Sequence, residues 1–244
     1  MNEPKFTILE HLRELRTRVF WAVLSLMVTT GISFFFAFDI LAFLKRPAVG
    51  VSFIYTEMTE MFGTYMKVSL LSGVVLAIPF ISYQLLMFIL PALSTKEKKW
   101  VVGLMLGATL SFLAGAAFAY FVAIPPAVQF LTTWGSDIAA PQIRIGNYIS
   151  LVTGLIFWIG VAFETPLVIF ILASMGVVTP RMLIMWWKYA IVLAFIIGGF
   201  VTPTPDPVNQ TLVAGPIVVL YGLSIGLAWL AWRGRRSRAA SKSN

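Results

Sequence analysis

Long apolar runs separated by short polar segments make up most of the chain. A helix needs about 20 mostly apolar residues to cross the roughly 30 Å hydrocarbon core of a bilayer. Runs of this kind occur at residues 19–38, 68–90, 100–124, 149–175, 186–201 and 212–232. The pattern predicts an all-α integral membrane protein with six transmembrane helices, organised as a single membrane domain over residues 1–244.

The fifth run is the shortest of the set. Its uninterrupted apolar part, residues 189–201, reaches only about 20 Å at 1.5 Å per residue. The segment 202–207 that follows contains three prolines and cannot continue a helix. Two interpretations are open: a short hairpin that thins the membrane locally, or a turn that neighbouring helices bury while Trp186, Trp187 and Lys188 lie at the interface.

Small residues and prolines predict how the helices pack. The third run has a small residue at every fourth position and the sixth run repeats the spacing; these residues are Gly103, Gly107, Ser111, Gly115, Ala119, Gly222 and Gly226. Such stripes let helices approach closely in a membrane. Prolines within the runs remove backbone donors and favour bent helices, which predicts an open, curved bundle.

Composition supports the membrane assignment and narrows the chemistry. The chain is 59% hydrophobic and 11% charged, against roughly 45–50% and 25% in soluble domains. It has no cysteine and one histidine, His11. These counts argue against disulfide scaffolds, thiol nucleophiles, Cys/His zinc sites and histidine-based triads. We therefore predict a protein without catalytic residues, metal or cofactor.

Basic residues predict the orientation of the chain. It carries 18 Lys and Arg against 10 Asp and Glu. Fourteen of the basic residues lie on the side of the two termini, including a tail over residues 233–244, and only Lys45, Arg46, Lys67 and Arg144 lie on the other. Because short basic flanks stay in the cytoplasm, both termini are predicted to be cytoplasmic. The position of these residues beside apolar runs indicates lipid contact rather than nucleic-acid binding.

The first 18 residues predict an amphipathic helix at the cytoplasmic interface. A capping box, Thr7 to Glu10, introduces an apolar stripe at helical spacing, formed by Ile8, Leu12, Leu15 and Val19 and turned inward. Glu14 projects from another face of this helix. It is interpreted either as an exposed ion pair with Arg18, one turn later, or as part of a binding site.

Glu97 also has two interpretations. Ser94 and Glu97 have the spacing of a second capping box, which accounts for the glutamate structurally. Yet Glu14 and Glu97 are both carboxylates predicted at the cytoplasmic interface amid basic residues. Carboxylates bind guanidinium groups bidentately, so such a pair would suit a ligand that carries arginines.

Glu164 is an ionisable residue near the middle of the fourth run, a depth at which such residues are functional by default. Pro166 also leaves the Ala162 carbonyl without its helical partner. Either a water-accessible pocket or a protonated glutamate bonded to a neighbouring helix accounts for these features. A binding scaffold and a proton-coupled secondary transporter that uses Glu164 are both open at this point.

Several stretches together resemble one known family. They are His-Leu-Arg-Glu-Leu-Arg at 11–16, Tyr-Gln at 83–84, Pro-Ala-Leu at 91–93 with Glu97, Ala-Phe-Ala-Tyr-Phe at 117–121, Phe-Glu-Thr-Pro at 163–166, and Thr-Pro at 202–203 with Asp206 and Gln210. From about Ile8 to about Trp232 the chain is similar to TatC, the multi-spanning subunit of the twin-arginine (Sec-independent) protein translocase.

The resemblance implies a six-helix, glove-shaped protein that receives twin-arginine signal peptides on its cytoplasmic face and exports folded proteins with the proton-motive force. Glu97 and Glu14 would hold the two peptide arginines, with Arg16 on the same surface. The remaining implied roles are an intramembrane polar groove at Glu164, partner-subunit contacts at Thr202 and Gln210, and structural roles for Pro47, Phe118, Tyr120 and Pro166.

The implied partners are the signal peptides of folded cargo, single-span subunits of the TatA/TatB type, further TatC copies and lipid. The implied location is the cytoplasmic (inner) membrane of a prokaryote. The chain departs from the family around Glu97, where Ser94, Lys96, Lys98 and Lys99 stand in place of an aromatic residue, a histidine and arginines. Positive charge is kept there, and an aromatic surface is lost.

Overall fold

The described part of the chain is almost entirely helical. A computed structural model describes residues 8–89, 101–134, 141–201 and 207–240. The helices are α1 (Ile8–Phe35), α2 (Ala37–Lys45), α3 (Glu60–Ile89), α4 (Val101–Phe118), α5 (Ile124–Thr133), α6 (Ile145–Met175), α7 (Pro180–Val201) and α8 (Pro207–Ala240). Two short strands, β1 (Phe53–Ile54) and β2 (Ile143–Arg144), pair in parallel.

Six helical stretches in these ranges are long and apolar enough to cross a membrane. They are Leu12–Phe35, Glu60–Phe88, Gly103–Thr133, Ile145–Met175, Pro180–Phe200 and Gln210–Arg233. Large apolar side chains such as Phe35, Phe121 and Phe200 are exposed on them, as expected of helices whose solvent is lipid. The predicted all-α, six-span class is confirmed, whereas the glove shape and the cytoplasmic termini stay predictions.

Helix α6 forms the centre of the bundle. It packs against α3, α4 and α8, and its residues Ile149, Val152 and Ile159 are buried in the core. Helix α1 packs on α3, and α7 packs on α8. Because α1 and α7 are the least buried of the six spans, they form the edges of an open arrangement.

The N-terminal segment is continuous with the first span. Helix α1 runs unbroken for 28 residues, so no boundary separates the predicted interfacial helix from the span at residues 18 and 19. Leu12, Leu15 and Val19, which belong to the predicted apolar stripe, are exposed. The stripe is therefore not packed against the described part of the protein and is available to lipid.

The third span contains a π-helical segment. Helix α4 passes into five π-helical residues, Ala119–Ala123, and then into α5. Pro125 and Pro126 have no N–H groups to donate to the carbonyls four residues earlier. A wider turn, in which the Ile124 N–H donates to the Ala119 carbonyl, carries the helix past both prolines. The helical run continues to Thr133 and does not end at the predicted Ile124.

The fifth span is longer than the predicted residues 186–201. Gly176, at φ +81°, ends α6 in the left-handed conformation. The Thr179 hydroxyl accepts a hydrogen bond from the Met182 N–H at 3.3 Å and caps α7, with Pro180 as its first helical residue. The span Pro180–Phe200 has 21 residues, or about 31 Å at 1.5 Å per residue. A helix of this length does not require the predicted membrane thinning.

The small-residue stripe of the third span is confirmed in its middle part. A Cβ atom on Gly115 would lie 2.9 Å from the Gly160 Cα atom and 2.8 Å from the Phe163 Cγ atom. Ser111, one turn earlier, donates its hydroxyl hydrogen to the Phe163 carbonyl at 2.5 Å. Helices α4 and α6 therefore approach closely along this line. Gly103 has nothing within 4 Å of its would-be Cβ, so the stripe does not extend to the start of α4.

The glycines of the stripe predicted in the sixth span do not pack against the described part of this chain. The would-be Cβ atoms of Gly222 and Gly226 have no atom of the described structure within 4 Å. Helix α8 instead presents Val213, Ser224 and Ala228, which are fully buried, to its neighbours. The four-residue spacing was right for a helix face, but a different face of α8 is the packed one.

Two tyrosines hold the C-terminal end of α2. The Tyr120 hydroxyl donates to the Phe43 carbonyl at 2.8 Å, and the Tyr148 hydroxyl donates to the Leu44 carbonyl at 2.7 Å. The last carbonyls of a helix lack α-helical donors. The Tyr148 hydroxyl supplies one to Leu44, and the Phe43 carbonyl accepts from the Arg46 N–H at 3.1 Å as well as from Tyr120. The contacts join α2 to the π-helical segment and to α6.

An ion-pair cluster formed by Glu57, Glu60 and Arg144 joins the start of α3 to the start of α6. Glu60 Oε2 accepts hydrogen bonds from Arg144 Nη2 at 3.0 Å and Nε at 3.3 Å. Arg144 Nη2 also lies 3.1 Å from Glu57 Oε1. The Glu60 side chain is only 6% exposed, against 66% for Glu57. Hydrogen bonds to Glu60 and Glu57 raise the pKa of Arg144 above its usual value, so its guanidinium stays charged.

Candidate functional site

Glu14 is paired within its own helix. Its Oε1 atom lies 3.2 Å from Arg18 Nη2, one turn further along α1. This is the ion pair that the four-residue spacing predicts, and it is confirmed. Both side chains are 25% exposed, so the pair lies at the edge of the packed region, where a ligand from outside can reach it.

Arg18 has a second partner that sequence reasoning missed. Its Nη1 atom donates to Gln84 Oε1 on α3 at 3.3 Å, and Gln84 is 6% exposed. The guanidinium therefore bridges α1 and α3. Gln84 belongs to one of the stretches shared with the family, but a spacing of 66 residues from Arg18 gives no local pattern from which the contact follows.

A cavity of about 570 Å³ opens beside this bridge, and we call it the Glu14 cavity. Its lining residues are Arg13, Glu14, Thr17, Arg18, Trp21, Phe80 and Gln84. The carboxylate and the amide supply acceptors, while Trp21 and Phe80 supply aromatic surface. Guanidinium groups bind both kinds of surface, through bidentate hydrogen bonds and by stacking on aromatic rings.

Of the two other residues of the predicted recognition surface, only Arg16 lies within the described part of the chain. Arg16 is exposed on α1, one helical position before Thr17 of the cavity wall. Glu97 lies in the segment 90–100, outside the described residues. The predicted pairing of Glu14 with Glu97 is thus untested by the geometry.

Glu164 is half-buried on α6. Its Oε1 atom is buried and has no hydrogen-bond partner among the described residues. Helix α6 runs through Pro166 to Met175 without a break. Apart from the Ser111 hydroxyl bonded to the neighbouring Phe163 carbonyl, the described contacts do not account for the polar character of this site. The groove role stays a prediction.

Gln210 fastens α8 to α7. Its Nε2 atom donates to the Phe195 carbonyl at 2.7 Å, and Gly198 and Gly199 leave room for its side chain, because a Cβ on either would come within 3.2 Å of Gln210 atoms. This internal contact is a structural role in addition to the predicted partner contact, which the structure does not test. Thr202 lies outside the described residues.

Three of the residues predicted to be structural, Pro47, Phe118 and Tyr120, lie near the junction of α2 with the third span, whereas Pro166 lies within α6. Pro47 is half-buried in the turn after α2. The Phe118 ring packs against Phe163 with centroids 5.7 Å apart, and the Tyr120 ring stacks on Phe43 with centroids 4.4 Å apart. Ring packing accounts for Phe118 and Tyr120, and the structural roles of Pro47 and Pro166 stay predictions.

The described ranges contain no group of three or more His, Asp or Glu side chains that could hold a metal ion. Besides the ion-pair cluster at Arg144, they bring together a carboxylate, a guanidinium and an amide at the Glu14 cavity, and they include the half-buried Glu164 on α6. These features define the class of the protein as a six-span membrane protein.

The chain belongs to the TatC family. Its residues 10–216 match the family profile described as "Sec-independent protein translocase protein (TatC)". It is 40% identical over 233 residues to TatC of Aquifex aeolicus (strain VF5), and the aligned region covers 93% of this chain and 96% of that one. It is 33% identical over 225 residues to TatC of Synechocystis sp., covering 92% and 89%.

A solved structure agrees with this assignment. The crystal structure described as "Twin Arginine Translocase Receptor- TatC" matches this chain with a TM-score of 0.84 and 39% identity, over 91% of this chain and 99% of that one. The chain is therefore a multi-pass membrane component of a Tat protein translocase, which has a transport role and acts with other Tat subunits.

Proposed function

We propose that the chain is the receptor for twin-arginine signal peptides and the core scaffold of a translocase that exports folded proteins. The observation that carries this proposal is the Glu14 cavity, in which a carboxylate already binds a guanidinium at 3.2 Å. A site that accepts the Arg18 guanidinium has the charge and the acceptor geometry to accept a peptide arginine.

Two arginines need two acceptor sites. Glu14 supplies one carboxylate, and the family position of Glu97 supplies the second, on the segment that joins α3 to α4. Helix α1 begins, and α3 ends, at the same end of the bundle, because Arg18 near the start of α1 contacts Gln84 near the end of α3. The last described turn of α3, which ends at Ile89, therefore lies at the same end of the bundle as the Glu14 cavity. Glu97 follows it by eight residues in the sequence, and Arg16 adds to the same surface.

The remaining parts of the proposal concern the membrane. The basic flanks favour cytoplasmic termini in a prokaryotic inner membrane, which puts the Glu14 cavity at the cytoplasmic interface. The chain has no Gly-x-x-x-x-Gly-Lys nucleotide-binding loop, so the energy for export comes from outside it, through the proton-motive force. Thr202 and Gln210 contact single-span subunits, further copies of the chain complete the assembly, and no catalysis is involved.

A proton-coupled secondary transporter is the second candidate. The buried Glu164 Oε1 atom without a partner among the described residues favours it, since a carboxyl group in such a place can carry a proton. Solute transport by the purified chain alone, abolished by Glu164→Gln, would support this candidate. Family membership and the position of the Glu14 cavity favour the receptor.

The proposal predicts unequal effects of two substitutions at Glu97. Glu97→Lys should weaken binding of a synthetic twin-arginine peptide to the purified chain by at least about tenfold, since an ammonium replaces the carboxylate and repels the peptide. Glu97→Gln should cost only about three- to fivefold, because it removes attraction without adding repulsion. Fluorescence anisotropy of a labelled peptide measures both.

Asp39→Lys is the control for this test, because Asp39 is an exposed acid on α2, at the opposite end of the bundle. It should leave peptide affinity unchanged. Rising salt should weaken wild-type binding and reduce the difference between the two Glu97 variants. If Glu97→Lys binds the peptide as tightly as the wild type, Glu97 has no part in the receptor site.

A further inference from the structure

Arg18 occupies the position in this chain that the proposed function gives to a peptide arginine. Its Nη2 atom lies 3.2 Å from Glu14 Oε1, and its Nη1 atom lies 3.3 Å from Gln84 Oε1. Two terminal nitrogens are used, so one guanidinium bridges both acceptors. Both distances exceed the 2.7–2.9 Å that is typical of strong charge-assisted hydrogen bonds.

The bridge can be opened at low cost on the Glu14 side. The Glu14 and Arg18 side chains are each 25% exposed, and ion pairs that are open to solvent contribute little net stability. The contact with Gln84 is independent of Glu14, because it uses the other terminal nitrogen. Arg18 can therefore leave the carboxylate and still keep a hydrogen-bond acceptor.

We propose, on the basis of the proposed function, that Arg18 is an internal competitor for Glu14. Without a peptide, the Arg18 guanidinium holds the Glu14 carboxylate. When a peptide arginine binds Glu14, Arg18 leaves the carboxylate and keeps its contact with Gln84. Arg18 contacts Glu14 Oε1, so a peptide arginine can bind both oxygens of the carboxylate only in the fraction of molecules in which Arg18 is displaced. The ion pair between Arg18 and Glu14 therefore lowers the affinity of the receptor for the peptide.

Competition of this kind has a definite signature. The apparent dissociation constant of a peptide equals its intrinsic dissociation constant divided by the fraction of free protein in which Arg18 is displaced. This fraction is a property of the free protein and does not depend on the peptide. Removing the Arg18 guanidinium should therefore raise the affinity for every peptide that binds Glu14 by the same factor. For an ion pair of this exposure we expect about two- to fivefold. If Arg18 were instead a specificity contact, the ratio between peptides would change.

Gln84 has a separate effect in this scheme. Once Arg18 has left Glu14, its guanidinium can approach Gln84 more closely than the 3.3 Å of the paired state, so Gln84 stabilises the displaced state more than the paired one. Gln84→Ala removes this difference and should make the peptide bind about twofold more weakly. In the Arg18→Gln background the same substitution should have no effect, since no competitor is left to hold. Such non-additivity measures the coupling directly, and a purely structural role for Gln84 would not produce it.

The experiment uses the full chain purified in detergent and two labelled peptides, one with Arg-Arg and one with Arg-Lys at the motif. Arg18→Gln should bind both peptides about two- to fivefold more tightly than the wild type, with an unchanged ratio between them. The matched control is Arg181→Gln, which removes the same charge from an exposed position at the start of α7 and should have little effect. In the Glu14→Gln background, the gain from Arg18→Gln should disappear.

Several results would overturn the internal competitor. They are equal or weaker binding by Arg18→Gln, a gain of equal size in Arg181→Gln, and a gain that persists without Glu14. Should Arg18→Gln fail to fold, Arg18→Met keeps a long apolar stem without a cation, and it should also bind both peptides about two- to fivefold more tightly than the wild type. Absence of a gain in that variant overturns the proposal. The proposed function fails separately, if neither Glu14→Gln nor Glu97→Lys affects binding of the Arg-Arg peptide.

Discussion

Replacement of Glu60 by glutamine is expected to lower the melting temperature of the protein by about 5–10 °C. Glu60 Oε2 accepts hydrogen bonds from the Thr56 N–H at 3.0 Å and from Arg144, and Oε1 accepts one from the Gly146 N–H at 3.0 Å. A glutamine has an NH₂ group in place of one oxygen, so in either orientation a donor would face a donor. Arg144 would also lose its less exposed partner. Thermal unfolding in detergent measures the change.

Glu57→Gln is the matched control for that substitution. Glu57 makes one ion pair with the same arginine, but its side chain is 66% exposed, so the shift should stay below about 2 °C. If Glu60→Gln leaves the melting temperature unchanged, or if both variants shift it equally, the ion-pair cluster does not hold the starts of α3 and α6 together.

Gly115→Ala is expected to destabilise the protein by about 2–3 kcal/mol, in the range of overpacked cores. The new methyl group would lie 2.9 Å from the Gly160 Cα atom, which is backbone and cannot rotate away. Helices α4 and α6 would have to separate, and the Ser111 contact with the Phe163 carbonyl would lengthen. Unfolding of the purified protein by denaturant in mixed micelles measures the loss.

Gly103→Ala tests whether the effect comes from the close approach of the helices. Gly103 belongs to the same stripe on α4, but its would-be Cβ has open space around it. Alanine is the better helix former by up to about 1 kcal/mol, so this variant should be neutral or more stable. A loss at Gly103 equal to that at Gly115 would contradict the assigned packing interface.

The features that follow from local pattern could be predicted from the sequence. Apolar length alone identified six spans, since a bilayer demands that length of every crossing helix. The four-residue spacing identified the close approach at Ser111 and Gly115 and the pairing of Glu14 with Arg18. In each case the partners are one or two turns apart, or lie on one helix face.

The features that could not be predicted from the sequence depend on contacts between distant segments. The bond from Arg18 to Gln84 spans 66 residues, and Arg144 to Glu60 spans 84, so no spacing rule reaches either. The packing of Gly222 and Gly226 could not be predicted for a similar reason. A stripe of small residues predicts that helices can approach, but which face of α8 is covered depends on where the other helices lie.

The bounds of the spans were missed for a related reason. Apolar runs mark where lipid is tolerated, whereas helices end where caps and turns permit. Thr179 and Pro180 start α7 ahead of Trp186, and the π-helical turn carries the third span beyond Pro126. A capping residue, or a wider turn before a proline, involves only a few residues, yet it moves the end of a span by several residues.

As the proposed receptor, the chain binds paired guanidinium groups through carboxylates at one end of the bundle. The most direct measurement compares the affinities of the purified full-length chain for two peptides that differ only in Arg-Arg against Lys-Lys. An ammonium is a point donor that cannot reproduce the bidentate geometry, so we expect the Arg-Arg peptide to bind at least about tenfold more tightly. Equal affinities for the two peptides would contradict the account.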